Sequence, residues 1–182
     1  RMHIGMNSLM LEERASDYRV EVEYETLPQE PAAGLMREVR ITNITGVEMS
    51  LEAADGMAEV LPFGVNGSSM KEMGQTNKAW MQTLEEKTGV PKFKVRASME
   101  DSAQVTEVEG ANYGFARDDL GNLLPVIVDK EILFQNDSAF LRAWGFEESS
   151  IEELQKKEQI TCNDVPCCFF LAKRTLKPME TL

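Results

Sequence analysis

Apolar and polar residues alternate with a period of two through much of the chain, the pattern of strands buried on one face. Asp17 to Thr26 is the cleanest case: Val20, Val22 and Tyr24 share one face, and Arg19, Glu21, Glu23 and Glu25 share the other. Leu27 to Gly34 carries two prolines and a glycine and breaks the pattern. The alternation resumes over Leu35 to Thr42, with Val39 and Ile41 facing in. It turns at Asn43 to Gly46 and runs again from Val47 to Ala53 through Met49 and Leu51. Asp55-Gly56 reads as a further turn, followed by a short apolar segment from Met57 to Leu61.

The period changes between Ser68 and Glu86. Met70, Met73, Trp80 and Leu84 fit one helical stripe there. Ser68 or Ser69 caps it, and Ser69 stands three residues before Glu72, a capping-box spacing. Gly74 weakens the start, so the expectation is a short helix or two turns. Strands return after Gly89. Phe93, Val95 and Ala97 alternate with Lys92, Lys94 and Arg96; Val105 and Val108 mark a further strand, and Tyr113 and Phe115 another. Asp118 to Asn122 is a turn, Val126 to Val128 a buried run, and Asp129 to Arg142 irregular. Glu147 to Lys157 reads as a short acidic helix in which Ser150 and Glu153 repeat the capping spacing and Ile151 and Leu154 form the apolar stripe. Thr161 to Ala172 is the last core strand region.

Many short strands with frequent turn signals predict a mostly β chain: an antiparallel β-sandwich with one or two short helical insertions, in one domain covering residues 1–182. Thr175 to Leu182 reads as the start of a strand without a closing signal, as in a domain excised from a longer multidomain enzyme.

Composition narrows the function. Forty-two per cent of the 182 residues are hydrophobic, enough for a self-sufficient core. No apolar run approaches the ~20 residues of a membrane-spanning helix. Nineteen Lys and Arg face 31 Asp and Glu, a net charge of -12. Such a surface repels phosphate backbones and anionic membranes, so neither nucleic acid nor membrane is an expected partner, while neutral ligands such as sugars are compatible with it. The three cysteines, Cys162, Cys167 and Cys168, have no disulfide-framework spacing and read as reduced structural thiols of a cytoplasmic protein. His3 is the single histidine, which leaves a zinc site and a Ser-His-Asp or Cys-His arrangement without their parts; no metal and no cofactor are expected. Leu61 to Gly67 holds two glycines without phosphate-loop spacing.

Some polar and aromatic residues remain as site candidates. Asn66, Lys71 and Glu72 lie in a loop-to-helix segment, where such side chains either reach a ligand or serve turn chemistry. Trp144 offers an aromatic face for a sugar ring, and Trp80 suits core or domain-interface packing better. Arg96, Glu100 and Asp101 read as a surface ion-pair cluster rather than an acid-base site. Met70, Met73 and Met81, with Trp80, are candidates for a docking face on one helix.

Four stretches in order resemble a known family. Thr26 to Thr45 (TLPQEPAAGLMREVRITNIT) is similar to a strand carrying a threonine-leucine-proline-x-glutamate-proline motif, followed by an arginine-rich strand ending in asparagine. Leu51 to Trp80 resembles the family's leucine-x-x-x-aspartate-glycine … proline-tyrosine-glycine segment, with Phe63 in place of the tyrosine. Val95 to Ala116 and Gln159 to Pro178 extend the likeness over nearly the whole chain. The family is the cellobiose-phosphorylase-like group of glycoside hydrolases and phosphorylases. The resemblance implies a supersandwich akin to galactose mutarotase, which in that group precedes an all-helical (α/α)6 barrel bearing the catalytic acid and the phosphate site. This sequence supplies no such barrel. The chain then reads as the non-catalytic N-terminal domain of a carbohydrate-active enzyme, with the barrel, a second copy of itself and an oligosaccharide as expected partners. Two other readings stay open: an independent sugar-binding or protein-interaction sandwich and, with less support, a mutarotase-type epimerase, which would have to rely on His3.

Overall fold

The computed structural model describes residues 1–29, 33–65, 67–98 and 103–182. The chain is mostly β, 38% strand against 16% helix, with antiparallel sheets in a β-sandwich-like fold. Among the described residues four short helices interrupt the strands, where one or two were expected. The residues fall into two compact units, Arg1–Leu51 with Lys173–Leu182, and Glu52–Ala172.

In the first unit, β1 (Met2–Ile4), β2 (Ser8–Arg14), β3 (Tyr18–Thr26) and β4 (Leu35–Asn43) form an antiparallel meander in that order. The register turns the sequence alternation into rows: Val22 stands opposite Leu11 and Val39, and Met2 opposite Leu11. Charged residues pair on the other face, where Glu21 stands opposite Glu12 and Arg40. The sheet becomes buried towards the end of β4, at Ile41, Thr42 and Asn43. There the C-terminal segment adds to it: Ile41 N–H donates to the Leu182 carbonyl at 2.9 Å, and Met179 N–H donates to that of Asn43 at 2.9 Å. The strand expected near Thr175 is the end of β10 (Cys168–Leu176), after which the chain turns and Thr181 bridges to Thr42.

The remaining strands form two three-stranded sheets. In one, β10 lies between β5 (Met49–Met57) and β9 (Val126–Ile127), and β5 and β10 each have one end in the first unit. In the other, β7 (Lys92–Val95) lies between β6 (Met81–Leu84) and β8 (Asn112–Tyr113). The helices are α1 (Gly67–Lys78), α2 (Lys130–Phe134), α3 (Trp144–Glu148) and α4 (Ile151–Leu154). The main core gathers Ile127, Leu133, Ile151, Leu154, Cys167 and Leu171. Smaller clusters surround Phe93 with Val126 and Val128, and Met81 with Val95 and Val165.

Several expected elements differ. Asp55-Gly56 is not a turn: β5 runs through it, because Gly56 lies so close to β10 that a Cβ there would overlap the Cys168 carbonyl oxygen. Val105 is 89% exposed and in no strand; only Glu107 makes an isolated bridge, to Ala97. Asp129 to Arg142 is not irregular throughout, since Asp129 caps α2 by accepting from Glu131 N–H. The acidic helix is split into α3 and α4. Ser150 and Glu153 close a full capping box at the start of α4, with Ile151 and Leu154 buried beneath it.

Candidate functional site

The helical stripe expected between Ser68 and Glu86 is broken in two. α1 is kinked at Met73, beside Gly74, and ends at Lys78. Trp80 stands in the following turn, 38% exposed, and Met81 and Leu84 belong to β6. Met81 is fully buried in the core, so Met70, Met73 and Met81 do not share one helix face. Met70 packs against that same core cluster, while Met73 is exposed. The pattern missed this because Met81 and Leu84, on opposite faces of β6, stand three residues apart, a spacing a helix also allows.

Lys71 and Glu72 are exposed on α1. Asn66 lies outside the described residues, as do Glu100 and Asp101. Arg96, expected to pair with those two acids, donates to the Asn163 side chain at 2.9 Å. Trp144 opens α3, and its ring is already stacked: the Arg142 guanidinium lies 3.6 Å from its centroid, itself held by both carboxylate oxygens of Glu147 at 2.9 Å. No hydrogen bond or ion pair among the described residues joins Lys71 or Glu72 to Trp144, and they stand on different helices. His3 lies exposed on β1, opposite Met10.

A polar cleft of about 380 Å³ lies between the start of α2 and the segment before β10, lined by Val128 to Glu131 and Ile160 to Pro166. This is the small end of the range for ligand pockets. Lys130 is its central cation: its ammonium reaches Asp164 at 2.9 Å and the Val165 carbonyl at 3.2 Å. Asp164 is also 3.2 Å from Lys78. Burial opposes ionisation of Asp164, but the bonds from Lys130 and the Val165 N–H outweigh it and hold the carboxyl below its ordinary range. Asp129 has both oxygens engaged, one by Glu131 N–H at 3.0 Å and the other by Ile160 N–H at 2.9 Å. Asp129, Lys130 and Asp164 are thus engaged by the protein itself, which knits the start of α2 to the segment before β10; the exposed Glu131 also lines the cleft. Sequence reasoning missed it because Lys130 and Asp164 are far apart along the chain; the readable signal was Asp129 as an N-cap after a buried run.

Cys162 lines the same cleft, half-buried. Cys167 and Cys168 are buried, and desolvation raises both thiols, Cys168 up to about 12. The Cys167 thiol donates to the Ile127 carbonyl at 3.4 Å.

A second surface belongs to the sheet β6-β7-β8. Lys92 stands opposite Leu84 on one side and Tyr113 on the other; Lys94 stands opposite Gln82 and, through a parallel bridge, Phe63. These six side chains share one face, opposite to that of the buried Phe93 and Val95. Among the described residues, no three or more His, Cys, Asp or Glu side chains are grouped to hold a metal ion, and no helix is long and apolar enough to cross a membrane. No family model matches the chain, and no curated protein matches it.

Proposed function

We propose that this chain is the non-catalytic β domain of a carbohydrate-active enzyme of the cellobiose-phosphorylase-like group, holding an (α/α)6 catalytic barrel and bordering its sugar site. The observation that carries the reading is the order of the four resembling stretches along a mostly β chain of antiparallel sheets. Thr26 to Thr45 covers β4 and its approach, and Gln159 to Pro178 covers β10. The engagement of Asp129, Lys130 and Asp164 by neighbouring protein groups agrees with a supporting role for the cleft.

The test is phosphate turnover with disaccharides. The chain alone should neither consume phosphate with cellobiose nor hydrolyse it. The protein encoded by the whole reading frame that carries this chain should do one or the other on some disaccharide. Turnover by the chain alone, or a full-length protein inactive on every disaccharide tried, overturns the reading. The His3 epimerase reading is checked in the same sample: the rate of anomer equilibration should be equal with and without protein.

A further inference from the structure

The exposed face of β6-β7-β8 carries two aromatic rings that the core does not use. Tyr113 is 66% exposed and Phe63 is 45% exposed. They lie on the same edge of β7, opposite Lys92 and Lys94, which are two residues apart. Two strand residues span about 7 Å, so the two aromatic side chains leave the backbone on one face at about that separation. Phe63 is set against Gly110, where a Cβ would overlap the ring, so the glycine lets the ring lie close to the backbone. Leu84, 40% exposed, extends the apolar surface on the far side of Lys92.

The charges on this face are neutralised. Lys92 is 2.8 Å from Glu85, and Lys94, with only 10% of its side chain exposed, is 3.6 Å from Glu107. The Lys92 stem therefore adds apolar surface beside the rings, Lys94 is buried, and neither offers an unpaired cation. A polyanion stacking on aromatic side chains needs a positive groove, and this face has none within a chain of net charge -12. What remains is a pair of rings bordered by paired polar groups. That matches a pyranose, whose C–H face is apolar and whose rim is hydroxyl. The ring of Phe63 needs no hydroxyl for such a contact.

We propose that Phe63 and Tyr113 form an aromatic platform that stacks against adjacent rings of a neutral oligosaccharide. The inference rests on the sugar-handling reading above and names a place for the sugar on this chain.

The experiment is a titration of the isotopically labelled chain with cellopentaose, and separately maltopentaose, followed by amide chemical shifts. Saturable shifts are expected at residues 92–94 and 112–114 and around Phe63. Tyr113→Ala should weaken the binding about tenfold, the scale of one lost stacked ring, and Trp144→Ala should leave it unchanged. Phe63→Ala should act like Tyr113→Ala; if it disturbs folding through Gly110, the exposed Tyr113 decides alone. No shift with either sugar, shifts elsewhere, or binding untouched by Tyr113→Ala overturns the platform. So does tighter, salt-sensitive binding of oligothymidylate at the same residues. Sugar binding here by a protein whose full-length form acts on no disaccharide overturns the scaffold reading and supports the platform. Full activity with no shift at Tyr113 does the reverse.

Discussion

The side-chain amide of Asn43 donates to the carbonyl oxygen of Leu176 at 3.0 Å, tying the end of β4 to the end of β10 across 133 residues of sequence. The same nitrogen reaches the Val47 carbonyl at 2.8 Å and that of Lys177 at 3.2 Å. Its oxygen accepts from Thr45 N–H at 2.9 Å and from the Thr45 hydroxyl at 2.7 Å. Asn43 is fully buried, and of the backbone groups it satisfies the Leu176 carbonyl is buried with it.

Removing it takes the donor from the buried Leu176 carbonyl, whereas the Val47 carbonyl keeps the Thr45 hydroxyl at 2.9 Å and the Lys177 carbonyl keeps the Glu180 N–H at 3.0 Å. Asn43→Ala should lower stability by about 1–3 kcal/mol in urea unfolding, the cost of stranding one buried acceptor. Asn43→Asp should cost more at neutral pH, because a carboxylate then faces three carbonyl oxygens. Burial and those oxygens raise the folded pKa of the introduced carboxyl, so its penalty is small at low pH and grows as pH rises through the unfolded value. A Val47-to-Lys177 region indifferent to both changes would refute the role of Asn43.

Two glycines test close packing against helix propensity. A Cβ on Gly56 would meet the backbone of Cys168 and Phe169, neither of which is a flexible side-chain end. Gly56→Ala should therefore cost roughly 3 kcal/mol or abolish cooperative unfolding. Gly74 has open space around its Cβ position and lies within α1. Gly74→Ala should raise stability by about 0.5–1 kcal/mol by removing unfolded-chain freedom. Urea midpoints moving in opposite directions are the expected result.

Those glycines also mark where the sequence could be read and where it could not. The alternation of β3 and β4 was legible because one face differs sharply from the other, and the Ser150–Glu153 box because capping depends on local spacing alone. Asp55-Gly56 looked like a turn since nothing local reveals that another strand passes within touching distance. The Met81 placement failed for a related reason: Met81 and Leu84 lie on opposite faces of β6, yet their spacing of three also fits a helix. Trp144 was readable as an exposed aromatic, but not the guanidinium that Arg142 lays on it. Tyr113 was placed on a strand correctly, yet its alignment with Phe63 exists only through the shared neighbour β7.

The cysteines give a chemical check on the core. Desolvation pushes the Cys168 thiol up to about 12 and raises that of Cys167, and both side chains are buried. A thiolate is the reactive form, so neither should alkylate in the folded protein. Iodoacetamide at mildly alkaline pH should label Cys162 alone, and all three residues after denaturation. Mass spectrometry of the peptides distinguishes them. Rapid labelling of Cys168 in the native protein would mean that the Phe93–Val126–Val128 cluster opens far more readily than its burial implies.

Acid should loosen the second unit through Asp164. Its carboxyl is held below the ordinary range, against the cost of burial, by Lys130, the Val165 N–H and Lys78. A depressed folded pKa contributes stability that is present above the unfolded value, about 3.9, and is lost as pH falls through the folded one. Lys130→Met removes the nearest cation while keeping its apolar stem, so the variant should be less stable at neutral pH. The gap between the two proteins should then narrow as pH drops below about 4 and close as it falls through the lowered pKa of Asp164 in the unchanged protein. Glu153 and Asp137 are also held low, by the Ser150 and Arg142 backbone N–H groups, and they too lose stabilisation in acid. Both are unchanged by the substitution and cancel in the difference. A gap that stays constant with pH would assign the role of Lys130 to its bond with the Val165 carbonyl instead of its charge.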